Sequence, residues 1–142
     1  MQPVRPAVWA ARGTRSSAIF DFDGDGDFDI VTNEFNAAPM VLVSNLTDKK
    51  PVRYVAVKLT GTRSNRDGLG AVVTLRAGGS TYTKRMDGNS GYLSHSLYPL
   101  YFGLGAAEAV DSLEVMWPSG TRQIVQGPVR LNATLEVRES QE

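Results

Sequence analysis

Short runs of alternating apolar and polar residues recur along most of this chain. Such alternation indicates β-strands, because successive side chains of a strand point to opposite faces of the sheet. Some of these runs alternate, and others are short apolar runs rich in β-branched residues. The predicted strands are residues 17–20, 30–32, 40–44, 54–59, 71–76, 81–86, 112–117, 122–125 and 134–137. Paired glycines at 78 and 79 predict a hairpin between two of these runs, 71–76 and 81–86. The chain is therefore predicted to be mainly β.

A polar, turn-forming stretch at residues 45–51 divides this pattern in two. We place a domain boundary there, which gives one domain at 1–50 and a second at 51–142. The short, turn-separated strands from about residue 52 onward predict an antiparallel β-sandwich. The content of 14 Gly and 7 Pro suits such a turn-rich β protein.

Composition narrows the possible functions. The net charge is zero, so the chain lacks the basic footprint of a nucleic-acid-binding protein. The absence of Cys excludes disulfides and thiolate metal sites. No apolar run approaches the roughly 20 residues that a membrane-spanning helix needs. We therefore expect neither a nucleic-acid partner nor a membrane span.

The most distinctive stretch is residues 21–29, where aspartates alternate with Phe or Gly. It contains five of the nine aspartates of the chain: Asp21, Asp23, Asp25, Asp27 and Asp29. In an extended chain these carboxylates would share one side and repel one another, whereas a chain bent around a cation would bind it with them. Charged oxygen ligands on a flexible loop favour calcium over magnesium, zinc or iron. Gly24 and Gly26 permit the positive φ values of a tight wrap.

We therefore predict a Ca²⁺ site in which Asp21, Asp23 and Asp25 occupy loop positions 1, 3 and 5. Asp27 would contribute its backbone carbonyl, and Asp29 would close the site. An EF-hand would require a Glu at position 12 and a helix on each side. Position 12 is Thr32, and both flanks are predicted strands. The expected arrangement is a strand, a calcium loop and a second strand.

Two other interpretations of this stretch are a solvated acidic turn without metal and a phosphatase motif. Residues 19–24 resemble the first motif of haloacid-dehalogenase-type phosphatases, in which a strand ends in a nucleophilic Asp. That motif continues with Thr where this chain has Asp25, and additional anions do not help a carboxylate that attacks phosphate. The single histidine, His95, lies near no nucleophile-elbow motif. We therefore predict no enzymatic activity.

A segment at residues 90–105 is rich in aromatic residues. It contains Tyr92, Tyr98, Tyr101 and Phe102. Aromatic rings at uneven spacing are typical of interface packing, and Tyr suits a surface that is apolar on one side and wet on the other. We predict that these four residues form an interface. The alternatives are a purely internal packing role and a carbohydrate-binding surface, on which the rings stack against sugars.

Two stretches carry a family resemblance. Residues 21–31 are similar to the calcium loop of FG-GAP/VCBS repeats, which build β-propeller blades. The second resemblance is to the ASPIC/UnbV domain of the cartilage acidic protein-like family and its bacterial members. Its motifs here are residues 64–71, 90–94, 102–105, 110–111 and 117–120.

Together the two resemblances imply a partial propeller blade followed by a transthyretin-like or Ig-like β-sandwich, without catalytic chemistry. A propeller needs at least four blades, so the partners implied are the remaining blades of a longer protein or another copy of the chain.

The sequence therefore predicts a non-enzymatic, calcium-binding module that serves adhesion or protein assembly, with calcium as a structural staple. The resemblance implies an extracellular or periplasmic location. No apolar signal-peptide core follows the first residues. An exported protein with this sequence is therefore expected to be longer. The alternatives are a carbohydrate-binding accessory domain that uses residues 90–105, and a metal-dependent, phosphatase-like hydrolase at the Asp cluster.

Overall fold

The computed structural model describes residues 13–91 and 94–141, which form β-strands joined by turns. The strands are β1 (Thr14–Phe20), β2 (Asp29–Glu34), β3 (Val41–Leu42), β4 (Tyr54–Thr60), β5 (Val72–Ala77), β6 (Ser80–Arg85), β7 (Asn89–Gly91), β8 (Ser94–His95), β9 (Leu100–Gly103), β10 (Ser112–Met116), β11 (Arg122–Ile124) and β12 (Ala133–Arg138). These residues include no helix, hence none that is long and apolar enough to cross a membrane. The prediction of a mainly β protein is confirmed.

The chain separates into two compact units. The first contains the described residues up to Lys49 together with the described residues of the segment 89–96. The second contains Lys50–Gly88 and the described residues from Leu97 onward. The domain limits 1–50 and 51–142 stay a prediction.

The first unit is built on a three-stranded antiparallel sheet in the order β1-β2-β3. Strands β1 and β2 form a hairpin whose last pair is Phe20 with Asp29, so the acidic residues 21–28 are its connecting loop. Strands β7 and β8 form a short antiparallel ribbon in the same unit. The predicted order of strand, acidic loop and strand is thus present.

The second unit contains two sheets. One has the antiparallel order β11-β10-β5-β6 and includes the predicted hairpin, in which Ala77 pairs with Ser80. The other has the order β12-β4-β9. Strand β9 is antiparallel to β4, but β12 runs parallel to it, with Ala133 opposite Val55 and Arg138 opposite Thr60. The prediction of wholly antiparallel pairing therefore does not hold for β4 and β12.

One hydrophobic core takes side chains from both sheets of the second unit. Its members from the strands are Val55, Val57, Leu59, Val73, Leu75, Ala77, Phe102, Leu113, Val115 and Val137. Their spacing of two along β4, β5 and β10 puts them on one face of each strand. Trp117, which directly follows β10, is 2% exposed in the same core.

The aromatic segment at residues 90–105 contains the short strands β8 and β9 and the end of β7. Strand β9 has an inward-pointing Phe102 flanked by Tyr101 and Gly103. Four residues give too little alternation for a strand to be recognised, and Pro99 directly before them suggests a turn. Pairing with β4 is what makes this segment a strand.

Candidate metal centre

The acidic loop between β1 and β2 turns through two glycines. Gly24 has a φ of 79° and Gly26 a φ of 95°, both in the left-handed region that side chains rarely adopt. A Cβ at Gly24 would meet no atom within 4 Å, so the requirement there is for backbone conformation and not for space. The aspartates lie on either side of these glycines, and the turn returns the chain to Asp29 at the start of β2.

Three aspartates of the loop converge. One carboxylate oxygen from each of Asp21, Asp23 and Asp29 lies within 4.8 Å of the others. Two oxygens bound to the same calcium ion are at most about 5 Å apart, which is twice the usual calcium–oxygen distance. Partial desolvation within the crowded loop and the repulsion of the neighbouring carboxylates raise the pKa of Asp23 above its usual value, against a hydrogen bond from the Asp25 N–H that lowers it. The cluster thus has carboxylate oxygens at the spacing that one cation can bridge, and it carries the negative charge that a cation would offset.

Backbone N–H groups already orient these carboxylates. Asp21 accepts hydrogen bonds from Gly24 N at 2.7 Å and Gly26 N at 3.0 Å. Asp29, which is 1% exposed, accepts from Phe22 N and Ser44 N, both at 2.8 Å. Each carboxylate oxygen carries two lone pairs, so it can accept an N–H and still bind a metal.

The carboxylates of Asp25 and Asp27 lie outside the set of three. Both contact Thr47, whose hydroxyl donates to Asp25 Oδ2 and whose N–H donates to Asp27 Oδ2 at 3.0 Å. Sequence analysis missed Thr47 and Ser44, because they lie in or beside a turn that suggested only a domain boundary. Neither position carries a sequence signal that would have identified it.

Asp27 is the buried member of this pair. Burial raises its pKa, but hydrogen bonds from Ser44, Thr47 and the Leu46 N–H outweigh burial and lower the pKa below its usual value. The side chain is 3% exposed, and its Oδ1 is buried with no hydrogen-bond partner in the described part of the chain. An ionised, buried carboxylate needs a compensating charge. The donor set is therefore one that fits a hard divalent cation.

The aromatic residues predicted to form an interface have different environments. Tyr98 is 41% exposed, and Tyr101 is half-buried with its ring centroid 5.8 Å from that of Tyr54. Phe102 is 1% exposed in the core of the second unit, so its side chain is not on the surface that an interface or a sugar platform requires. Tyr92 lies outside the described residues.

A second polar cluster, which sequence analysis missed, surrounds Glu139. This residue lies in a polar segment that follows β12, yet it is 2% exposed. Its Oε2 accepts hydrogen bonds from the N–H groups of Thr62, Arg63 and Ser64 at 2.8, 2.8 and 2.7 Å. Its Oε1 accepts from the hydroxyls of Ser64, at 2.8 Å, and Ser119. We call these five donor groups the Glu139 site.

These hydrogen bonds predict a specific dependence of stability on pH. Burial would raise the pKa of Glu139, but the hydrogen bonds from Ser119, Ser64 and Thr62 outweigh it and lower the pKa from 4.5 to about 2. The unfolded chain therefore binds this proton at higher pH than the folded chain does. The stability that Glu139 contributes is complete above about pH 4.5 and is lost as the pH falls towards 2.

Urea denaturation at pH 6, 5, 4 and 3 measures this loss. The difference in unfolding free energy between the wild type and Glu139→Gln is expected to shrink as the pH falls, because the amide does not titrate. All other side chains are common to the two proteins, so their contribution cancels from the difference. A difference that stays constant between pH 6 and pH 3 would contradict the prediction.

The second unit also identifies the family of the chain. A family model described as ASPIC and UnbV matches residues 61–142, which are more than half of the chain. The chain belongs to this family, and the resemblance seen in the sequence is confirmed for this part. The resemblance of the Asp loop to FG-GAP/VCBS repeats stays a prediction.

Among individual proteins, the chain is similar to cartilage acidic protein 1. The Xenopus tropicalis protein is 33% identical over 131 residues, covering 89% of this chain and 20% of that protein. The Homo sapiens protein is 34% identical over 139 residues, covering 89% of this chain and 19% of that protein. The chain thus spans about a fifth of the length of these relatives.

Proposed function

We propose that this chain is a non-enzymatic, calcium-binding module of an extracellular or periplasmic protein, and that it serves adhesion or protein assembly. The observation that carries the proposal is the acidic loop, in which three carboxylates converge within 4.8 Å and a fourth, that of Asp27, has a buried oxygen without a partner. Such a cluster is costly unless a cation compensates its charge.

Calcium would be held by Asp21, Asp23 and Asp29, with Asp25 and Asp27 completing the predicted set of five. When bound, the ion supplies positive charge and no chemistry at a substrate. The chain's own residues hold the loop ready for it, because the N–H groups of Gly24 and Gly26 fix Asp21. Ser44 and Thr47 bind the other side of the loop through Asp29 and Asp27. Calcium would thus act as a structural staple.

The placement of the acidic loop supports a non-enzymatic role. It joins two antiparallel strands of a hairpin, whereas a haloacid-dehalogenase-type phosphatase needs alternating strands and helices. The part of the chain that the structure describes contains no helix. The carboxylates therefore lie in a setting typical of a metal-stabilised turn.

The architecture that we propose is a partial propeller blade followed by a β-sandwich. The three-stranded sheet of the first unit suits a blade fragment, and the shared core of the two sheets in the second unit suits a sandwich. Exposed large apolar side chains of the first unit include Ile19, Phe22, Phe35, Val41 and Val43. Such a surface favours coverage by other protein. We propose the remaining blades of a longer protein, or a second copy, as the partner.

The extracellular assignment rests on the relatives and on the metal. The similar proteins carry the name of cartilage, and they are about five times as long as this chain. Extracellular calcium modules bind with dissociation constants of about 10⁻⁴–10⁻³ M. A site in that range is filled outside cells and empty inside them.

Calcium titration by isothermal calorimetry tests the proposal. One calcium ion per chain is expected to bind, with affinity weakened at least tenfold in Asp21→Asn and in Asp29→Asn. The matched control is Asp111→Asn, which removes one exposed carboxylate from the second unit. The control is expected to bind as the wild type does. No calcium-dependent heat at millimolar calcium, or an equal loss in all three variants, would refute the site.

A further inference from the structure

The Glu139 site has the composition of an anion receptor. Three consecutive backbone N–H groups, those of Thr62, Arg63 and Ser64, point at one oxygen. Consecutive N–H groups of this kind form the concave nests that bind anions in many proteins. The nest here is filled by a residue 75 positions away in the sequence. The chain thus supplies both the receptor and the anion.

The donors are divided between two oxygens. The three N–H groups serve Oε2, and the two hydroxyls serve Oε1. This division matches the two oxygens of a planar carboxylate and has no counterpart in a spherical ion such as chloride. None of the five donor groups carries a formal charge, since Arg63 donates through its backbone N–H. Selectivity therefore comes from geometry.

The receptor is held in shape without help from Glu139. Gly61 N donates to Arg66 O, and the Asn65 side chain bridges Leu69 N at 2.8 Å and Leu69 O at 2.7 Å. A Cβ at Gly61 would overlap the Asn65 carbonyl, so the loop needs glycine there to close. Ser119 N donates to Ser64 Oγ at 3.1 Å and ties the two donor segments together.

The strand that delivers the carboxylate is also held independently. Glu139 N donates to Thr60 O at 2.9 Å. The side chain of Gln123 accepts from Ser140 N at 3.1 Å and donates to Arg138 O at 2.9 Å, which fixes the backbone on both sides of Glu139. Removing the Glu139 carboxylate alone is therefore expected to leave a cavity lined by the five donor groups, while the donor loop and the backbone around residue 139 stay in place.

We propose that the N–H groups of residues 62–64 and the hydroxyls of Ser64 and Ser119 are a preformed carboxylate-binding site, with Glu139 as its resident ligand. The ligand class is a small planar carboxylate. In the wild type the site is closed, because the chain's own C-terminal segment occupies it. The ASPIC/UnbV motifs at 64–71 and 117–120 thereby gain a binding role: each supplies donors to this one anion.

Chemical rescue of Glu139→Ala tests the proposal. The variant is expected to melt several degrees below the wild type, and sodium formate or acetate at tens of millimolar is expected to restore much of that loss in a saturable manner. Sodium chloride at the same ionic strength is the salt control. The matched variant is Glu136→Ala, which removes an exposed carboxylate from β12, the strand that directly precedes Glu139; Glu136 is paired with Lys58. It is expected to show no formate-dependent rise.

A formate effect of equal size in both variants, or an equal effect of chloride on Glu139→Ala, would overturn the proposal. Absence of any formate effect would overturn it as well. Should Glu139→Ala be unfolded without added anion, formate-dependent refolding followed by circular dichroism replaces the melting curve as the readout. Glu139→Gln provides the second check: its amide fills the cavity, so formate is expected not to raise its melting temperature.

Discussion

Chelation of calcium by EDTA is expected to lower the melting temperature of the protein by on the order of 10 °C. A ligand that binds only the folded state stabilises it by about 2.7 kcal/mol when its concentration is a hundredfold above the dissociation constant. For a chain of this size each kcal/mol corresponds to about 3–5 °C. The loss arises because Asp21, Asp23 and Asp29 would then lie within 4.8 Å of one another without a counter-ion. Differential scanning calorimetry with calcium and with EDTA measures the shift.

The variant Asp23→Asn provides a control with a different dependence on the metal. Its side chain is exposed and is repelled by Asp25, Asp29 and Asp21. Neutralisation removes that repulsion, so in EDTA the variant is expected to melt at or above the wild-type temperature. In calcium it is expected to melt below the wild type, because a ligand is lost. Equal melting temperatures of the wild type with and without calcium would contradict a structural role for the ion.

The substitution Phe102→Ala is expected to reduce the unfolding free energy of the second unit by about 3–5 kcal/mol, the range for a large aromatic residue removed from a core. Phe102 is 1% exposed and packs in the core that both sheets share. Chemical denaturation of the isolated chain measures the loss. A residue whose role was to contact a partner would cause no such loss in the absence of that partner.

Tyr98→Ala is the matched aromatic substitution. Tyr98 lies four residues before Phe102 and is 41% exposed. Its removal is expected to change the unfolding free energy by less than about 1 kcal/mol. If the two variants lose similar stability, the division of this segment into a core residue and a surface residue is wrong. A weakened interaction with a protein partner in Tyr98→Ala alone would support the interface prediction for Tyr98.

Much of the strand content was predictable because its signal is local. The runs at 54–59, 71–76 and 112–117 alternate over several residues, and the hairpin at 77–80 has its own glycine signal. The orientation of a strand relative to its neighbour, parallel or antiparallel, has no such local signal in the sequence. Alternation at 134–137 predicts a strand equally well whether its neighbour is parallel or antiparallel. The parallel pairing of β12 with β4 therefore could not be read from the pattern.

The Asp loop and the Glu139 site also differ in whether a local sequence signal marks them. The Asp loop was recognisable because its candidate ligands follow one another within nine residues. The donors from Ser44 and Thr47 come from 15 to 22 positions away from the aspartates that they contact, and nothing local marks them. Glu139 lies in a run of polar and charged residues, which is typical of a solvated segment and does not mark a buried site. Only pairing of β12 next to β4 brings Glu139 to the loop at 62–64.

The position of β12 also has a consequence for the order of folding. Its contacts with β4 join residues 78 positions apart, as in the hydrogen bond from Lys58 to Glu136. Contacts of such long range form slowly, because the entropy of closing a long loop must be overcome first. Until β12 arrives, one edge of β4 is unpaired and open to another chain. We therefore expect the sheet that contains β4 to be completed late, and we expect the species that still lacks its parallel strand to be the one most prone to aggregation.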